Sequence, residues 1–214
     1  MKILVIDTAG RLCSVMLWQD GQVVASRSTD LRQGHAAALA PMVAAVLQDA
    51  QTSAIDCDRF AVTTGPGSFT GLRVGVSMAR GLATATAKPA VGINSFRAWA
   101  STAVAGETEP PDAVLVALDS RRGTAFVQAY EGDGVTLHGS ATELSTEQLA
   151  DLTQKMRIDG DLRVTGDIEL PSGQQAGPDL SCVAKLAAYE VVGKSPSPFY
   201  LRPPDAKPIT TIKP

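Results

Sequence analysis

The chain has 214 residues, of which 44% are apolar, enough for one large domain or two smaller lobes with a substantial core. A net charge of −3 and a pI near 5.4 argue against a surface that binds nucleic acid by itself. No apolar stretch approaches the roughly 20 residues needed to cross a bilayer, and Met1–Asp7 lacks a signal-peptide pattern. The scattered cysteines Cys13, Cys57 and Cys182 match neither a disulfide framework nor a CxxC zinc pattern. We therefore expect a cytoplasmic protein with reduced core thiols and no membrane contact.

The first half of the sequence predicts alternating strands and helices. Asp20-Gly21 is a hairpin signal between the second and third strands. Pro41 is expected either to kink the first helix or to mark a later start. Strands are predicted at residues 2–7, 13–19, 22–28, 60–64 and 90–93, and helices at 35–50, 70–87 and 95–105.

A glycine-rich stretch, Gly65–Gly75, joins the fourth strand to the second helix. Its glycines, proline and serine are typical of a tight strand-to-helix turn, where Ser68 or Thr70 caps the helix and the first amides favour an anion. The stretch fits neither the P-loop nor the G-x-G-x-x-G dinucleotide fingerprint. It is therefore either a structural turn or a loop at which Gly67 and Ser68 approach a nucleotide or phosphate.

The second half of the sequence repeats the beginning of the first. Ala113–Leu118 leads to Asp119-Ser120 as Lys2–Ile6 leads to Asp7-Thr8, and the two aspartates are 112 residues apart (119 − 7). We interpret this as an internal duplication. Further elements are predicted at 124–131, around His138, and at 147–157, 162–166 and 179–192.

This pattern predicts an α/β fold of the actin-like kind found in sugar kinases and heat-shock ATPases. The predicted parts are a first lobe at 1–105, a hinge at 106–112 and a reduced second lobe at 113–193. A proline-rich tail at 194–214 is expected to be extended, lying against the body or disordered.

Residues that carry chemistry are few. In actin-like enzymes, acids at the positions of Asp7 and Asp119 hold metal-bound phosphate across the cleft. The favoured alternative is that each aspartate closes its own turn through an Asx hydrogen bond. With only His35 and His138 in the chain, Ser68 has no evident base, and no catalytic residue or metal site is predicted.

Two helices and one turn are candidate partner surfaces. The first helix has no polar side chain from Ala36 to Leu47, so it is either deep in a core or covered by a partner, and we favour the partner. On the second helix a stripe of small residues allows either a partner's helix or the sheet to approach closely. Two arginines follow Asp119 and are expected to pair with a partner's carboxylate or a nucleotide phosphate, or else to be solvated. The predicted partner-binding residues are His35, Ala37, Ala44, Ala45, Gly71, Gly75, Ala79, Arg121 and Arg122.

Several of these segments together resemble the TsaB (YeaZ) family: Gly65–Gly75, Asp7-Thr8, the His35 helix, Pro89–Ser95 and Ala117–Gly123. The chain departs from the family's Asp-Thr-Ser in having Ala9. The resemblance implies a non-catalytic subunit of the bacterial complex that transfers threonylcarbamoyl from its adenylate to the adenosine beside the anticodon of ANN-reading tRNAs.

The resemblance also implies partners. TsaD would be the catalytic partner, bound through the first two helices, and the ATPase TsaE a third component. TsaD carries a metal-binding His-x-x-x-His segment, and Ser95 and Trp99 stand at those two positions here. The isolated chain is therefore expected to pair with itself and to hold no cofactor. ATP or ADP would enter only within the complex, and tRNA would be contacted only indirectly.

Two alternatives come from other classes. One is an enzyme acting alone, either a glycoprotease-like hydrolase or a small actin-like phosphotransferase. The other is a stand-alone tRNA-binding module, which the acidic balance and the lack of clustered Lys/Arg with aromatics oppose.

Overall fold

The computed structural model describes residues 1–31, 33–168 and 177–202. All the elements predicted from the sequence are present, most with ends shifted by one to three residues; the predicted tail beyond residue 202 lies outside the described residues. The strands are β1 (Lys2–Asp7), β2 (Leu12–Gln19), β3 (Gln22–Asp30), β4 (Arg59–Gly65), β5 (Ala90–Asn94), β6 (Ala113–Asp119), β7 (Thr124–Glu131), β8 (Leu137–Ser145) and β9 (Leu162–Gly166). The helices are α1 (His35–Asp49), α2 (Phe69–Thr86), α3 (Ser95–Ala103), α4 (Thr146–Asp159) and α5 (Leu180–Tyr189).

The two sheets share one topology. The first has the strand order β3-β2-β1-β4-β5 and the second β8-β7-β6-β9. In each lobe the opening strand pairs antiparallel with the next strand and parallel with a later one. The order β8-β7-β6-β9 therefore repeats β3-β2-β1-β4, which confirms the duplication, the actin-like fold and a second lobe with one strand fewer.

The first sheet is covered on both faces, which explains the unbroken apolar run of β1. Leu4 and Ile6 point into a core formed with α1 and α2, whereas Ile3 and Val5 point into a core formed with α5. A strand buried on both sides needs apolar residues at every position rather than at alternate ones. The range predicted for the second lobe included α5, and this is corrected here: α5 packs on the first sheet through Val183 and its neighbours.

The second sheet is also covered by two helices. One face packs against Phe96, Trp99 and Ala100 of α3, and the other packs against α4. Because α3 follows β5 directly, the first lobe supplies a helix to the core of the second. Residues 106–112 then lead into β6, where Asp112 N–H donates to Asp161 O at 2.9 Å. Among the described residues, no helix combines the length and the apolar character that a transmembrane span requires.

Candidate functional site

The glycine-rich loop packs on the turn that follows β1. Ser68 N–H donates to Ala9 O at 2.7 Å, and a Cβ added to Gly67 would lie 2.5 Å from that same oxygen. Ser68 Oγ accepts a hydrogen bond from Gly71 N–H at 3.2 Å, so Ser68 is the residue that caps α2. The loop thus holds the first turn of α2 at the boundary between the lobes.

The small-residue stripe of α2 faces its own sheet. Gly71, Gly75 and Ala79 are buried, and Thr8 Oγ1 donates to Gly71 O at 2.7 Å. A Cβ added to Gly75 would lie 3.3 Å from Val62 Cγ2. The prediction that these three residues contact a partner is therefore wrong, and the alternative of tight packing on the sheet holds.

Asp7 and Asp119 each close the turn in which they lie. Asp7 is 3% exposed, and its Oδ1 accepts hydrogen bonds from the Thr63 hydroxyl and from Ala9 N–H. Burial raises the pKa of Asp7, against the opposing effects of these hydrogen bonds and of His35. Asp119 Oδ1 accepts from Arg121 N–H at 2.7 Å. These are the Asx bonds of the favoured alternative, and neither carboxylate lines the large cavity described below.

Asp167 is a carboxylate that the sequence reasoning missed. It lines, with Asp7, Ser95 and Trp99, a cavity of about 10 Å³ between the lobes. Its Oδ1 accepts from Asp119 N–H at 2.6 Å, and burial raises its pKa. Its position in the sequence could have indicated that it belongs to the site. Asp167 directly follows a strand parallel to β6, and the carboxyl ends of parallel strands meet at one edge of a sheet.

The residues at the expected metal positions do not suit a metal. Ser95 is 2% exposed and its Oγ has no hydrogen-bond partner among the residues that the structure describes, while Trp99 is 4% exposed in the core of the second lobe. Across residues 1–31, 33–168 and 177–202, no three His, Cys, Asp or Glu side chains are grouped so as to hold a metal ion. The described residues therefore do not form a metal site.

A cavity of about 500 Å³ opens between the lobes. The glycine loop and the start of α2 form one wall, the turn after β6 forms another, and the segment Phe199–Arg202 closes a side. Of the predicted site residues, Gly67, Ser68, Arg121 and Arg122 come together here. The described residues that line it are Pro66, Gly67, Ser68, Phe69, Thr70, Ser120, Arg121, Arg122, Phe126, Phe199, Tyr200, Leu201 and Arg202.

The α1 helix buries one face and exposes the other. Leu39, Met42, Val43 and Val46 pack against the first sheet, and His35 at the start of the helix is also buried, with 8% of its surface exposed. His35 is therefore a packing residue, which corrects its assignment to the partner surface. Pro41 lies within a helix that already begins at His35, so the alternative of a later start is wrong.

The exposed side of α1 is an apolar face of small residues. Of the predicted partner residues on α1, Ala37 and Ala44 are exposed and Ala45 is half-buried. We call the exposed residues Ala36, Ala37, Ala40, Pro41 and Ala44 the α1 face.

Comparison with known proteins first gives the class. The profile of the family described as "TsaD: tRNA N6-adenosine threonylcarbamoyltransferase" matches residues 23–192. Fold and match together define an actin-like protein related to TsaD transferases.

Individual relatives then give the family. The Escherichia coli (strain K12) tRNA threonylcarbamoyladenosine biosynthesis protein TsaB is 35% identical over 181 residues, which are 84% of this chain and 75% of the relative. The Bacillus subtilis (strain 168) protein of the same name is 30% identical over 131 residues, 61% of this chain and 56% of the relative. The solved structure of YeaZ from Pseudomonas aeruginosa superposes with a TM-score of 0.76 at 26% identity, covering 94% of this chain and 99% of that one. The chain belongs to the TsaB family.

Proposed function

We propose that this chain is a non-catalytic subunit of the machinery that makes threonylcarbamoyladenosine in tRNA. Its relatives carry that biosynthetic role in their names, which supports the broad assignment. In the finer proposal, the chain binds and supports a TsaD catalytic subunit, with the ATPase TsaE as a third component. The α1 face is the observation that supports this partnership.

The α1 face suits a helical partner. It consists of alanines and a proline, so another helix can approach its backbone closely, and burying such a surface contributes about 25 cal/mol per Å² before association entropy is subtracted. α1 packs beside α2, so a partner would meet a helix pair. Because this chain itself matches the TsaD profile, a TsaD partner would offer a related helix pair, and the two would dock with approximate two-fold symmetry.

Arginine substitutions on the α1 face test the docking. Ala37→Arg and Ala44→Arg place a charge that water solvates in the free subunit but that a dry interface would strand at a cost of several kcal/mol. We expect both variants to fold normally and to fail to co-purify with TsaD from the same cell. The matched control is Ala150→Arg, at an exposed position of α4, which should bind TsaD like the wild type.

The same variants address self-association. If the isolated chain pairs through the α1 face, Ala37→Arg and Ala44→Arg should elute from gel filtration at monomer size. Ala45→Arg should lower the melting temperature, because Ala45 is half-buried. Wild-type affinity of folded Ala37→Arg and Ala44→Arg for TsaD would contradict the proposed interface.

An enzyme acting alone is the competing proposal. Ser95 and Trp99 oppose it, because neither supplies a metal ligand of the kind that such a hydrolase needs. We expect elemental analysis of untagged protein to find no stoichiometric iron or zinc, and the purified chain not to hydrolyse ATP. A stoichiometric metal or ATP turnover without partners would favour the hydrolase or phosphotransferase.

A further inference from the structure

The segment at residues 196–202, which we call the strap, connects the two lobes. It follows α5, which packs on the first sheet, and it ends on the core of the second lobe. Pro196 and Pro198 favour an extended path, because proline fixes φ and lacks a backbone N–H. The strap belongs to neither sheet, so it passes from one lobe to the other over the surface of the protein.

The strap begins on the first lobe. Pro196 is buried against β5, where a Cβ added to Gly92 would lie 3.1 Å from Pro196 Cβ. Phe199 N–H donates to Thr64 O at 2.7 Å near the end of β4. A Cβ added to Gly65 would lie 2.5 Å from Phe199 O. The strap therefore rests directly on β5 and on the end of β4.

The strap then meets the first turns of α2. The ring centroids of Tyr200 and Phe69 are 5.1 Å apart, and Arg73 Nε donates to the Tyr200 hydroxyl at 3.2 Å. The guanidinium of Arg73 also lies 4.1 Å from the centre of the Phe69 ring. Because Phe69 is 45% exposed and Tyr200 37% exposed, separating the two rings exposes only a limited additional apolar surface.

The far end of the strap is held on the second lobe by an ion pair. Arg202 Nε donates to Glu143 Oε2 at 3.2 Å, and Arg202 Nη2 pairs with Glu143 Oε1. The Arg202 guanidinium also lies 5.8 Å from the centre of the Phe126 ring, and Leu201 packs half-buried on the core of this lobe. Hydrogen bonds from the Thr124 hydroxyl and from Arg202 lower the pKa of Glu143, so this carboxylate is charged at neutral pH. A two-pronged contact between arginine and a carboxylate is directional and strong for an ion pair.

We infer that the strap is a clasp that holds the two lobes in a closed arrangement and opens, with both lobes still folded, when Arg202 leaves Glu143. Among the described residues, the strap makes one backbone hydrogen bond to the body of the protein. A segment with so few buried contacts opens at a lower free-energy cost than a core strand. Opening would remove the side of the cavity that residues 199–202 form. No strap residue belongs to the α1 face, so the inference goes beyond the proposed function and does not rest on it.

Chymotrypsin digestion of the full chain tests the clasp, because Phe199, Tyr200 and Leu201 place three consecutive cleavage sites in the strap. Initial rates at each bond, measured by mass spectrometry, separate cleavage in the strap from cleavage in the lobes. In the wild type the strap should be cut at least about tenfold faster than bonds in the core strands. Glu143→Gln should raise the strap rate about tenfold further, since cleavage follows the population of the open form. The matched control is Glu131→Gln, at an exposed position of β7, which should leave the strap rate unchanged.

A second variant removes the other partner of the ion pair. Arg202→Gln should also raise strap cleavage about tenfold, and it carries the test if Glu143→Gln does not fold. The double variant should be cut no faster than the faster single variant, because both substitutions break the same contact. Equal wild-type rates in the strap and the core strands would overturn the inference, since the strap would then open only when the lobes unfold. Strap rates like that of Glu131→Gln in both single variants, or multiplied effects in the double variant, would also overturn it.

Discussion

Two glycines of α2 lie in opposite surroundings, so alanine at each is expected to change stability in opposite directions. A Cβ added at Gly71 would overlap the carbonyl oxygen of Thr8 and lie 3.2 Å from that carbonyl's carbon and from Ser68 Cβ. At Gly81 an added Cβ meets nothing within 4 Å. The helix and the chemical change are the same, so Gly81→Ala is a matched control for Gly71→Ala.

The expected magnitudes follow from these contacts. Gly81→Ala should raise the free energy of unfolding by about 0.5–1 kcal/mol, because glycine costs this much within a helix. Gly71→Ala gains the same helix stabilisation, but its new Cβ would overlap the Thr8 carbonyl. That carbonyl belongs to the backbone of a buried turn, so it cannot rotate away as a side chain could. Overpacking costs about 1–3 kcal/mol, and strain on the hydrogen bond from Thr8 Oγ1 to Gly71 O adds about 0.5–1.5 kcal/mol. The net expectation for Gly71→Ala is a loss of about 0.5–4 kcal/mol.

Urea and thermal unfolding followed by circular dichroism measure both changes. For a chain of this size, 1 kcal/mol corresponds to about 2–4 °C in melting temperature. Gly71→Ala should therefore melt at least about 1 °C below the wild type and Gly81→Ala about 1–4 °C above it. If Gly71→Ala is as stable as Gly81→Ala, then Gly71 does not face Thr8, and the small-residue stripe returns to being a candidate partner surface.

Two further predictions concern buried titratable groups. Burial raises the pKa of the Asp7 carboxyl above its ordinary 3.8, so the folded chain binds the carboxyl proton more tightly than the unfolded chain does. The contribution of Asp7 to the free energy of unfolding therefore falls as the pH rises through the raised pKa. Asp7→Asn keeps an oxygen that can accept the hydrogen bond from Thr63 but has no proton to lose. In urea titrations the stability of this variant relative to the wild type should therefore increase between about pH 4 and pH 7. A difference in stability that does not change with pH would contradict this prediction. All three cysteines are buried, and burial raises the pKa of Cys57 to about 11, so DTNB at about pH 8 should react slowly with native protein but fully in denaturant. A fast-reacting native thiol would refute that burial.

Local signals carried most of the fold prediction. The apolar run of β1, the Asp20-Gly21 turn and the cap at Ser68 depend on neighbours within a few residues, and each element lies where the sequence predicts it. The duplication was also visible, because Asp7 and Asp119 end matching strands. Topology followed from these repeated local patterns rather than from any single motif.

The errors all concern which surface an element meets. The α2 stripe of small residues has the same pattern whether a sheet or a partner helix covers it, and only the fold shows that Thr8 lies opposite Gly71. The apolar face of α5 does not specify which of two sheets it joins. His35 and Asp167 acquire their surroundings from residues distant in sequence. Such contacts depend on the arrangement of whole elements, which periodicity does not encode.

The divergence of the two duplicated turns accounts for the cavity. After β1, the turn carries the small residue Ala9, and the glycine loop packs directly on it. After β6, the corresponding turn carries Arg121 and Arg122, and in the part of the chain that the structure describes no glycine loop covers it. Arg121 adopts a left-handed backbone with φ 65°, which is unfavourable for a residue with a side chain. No residue of the α1 face lines this cavity, so Arg122→Gln should leave the binding of TsaD through that face intact.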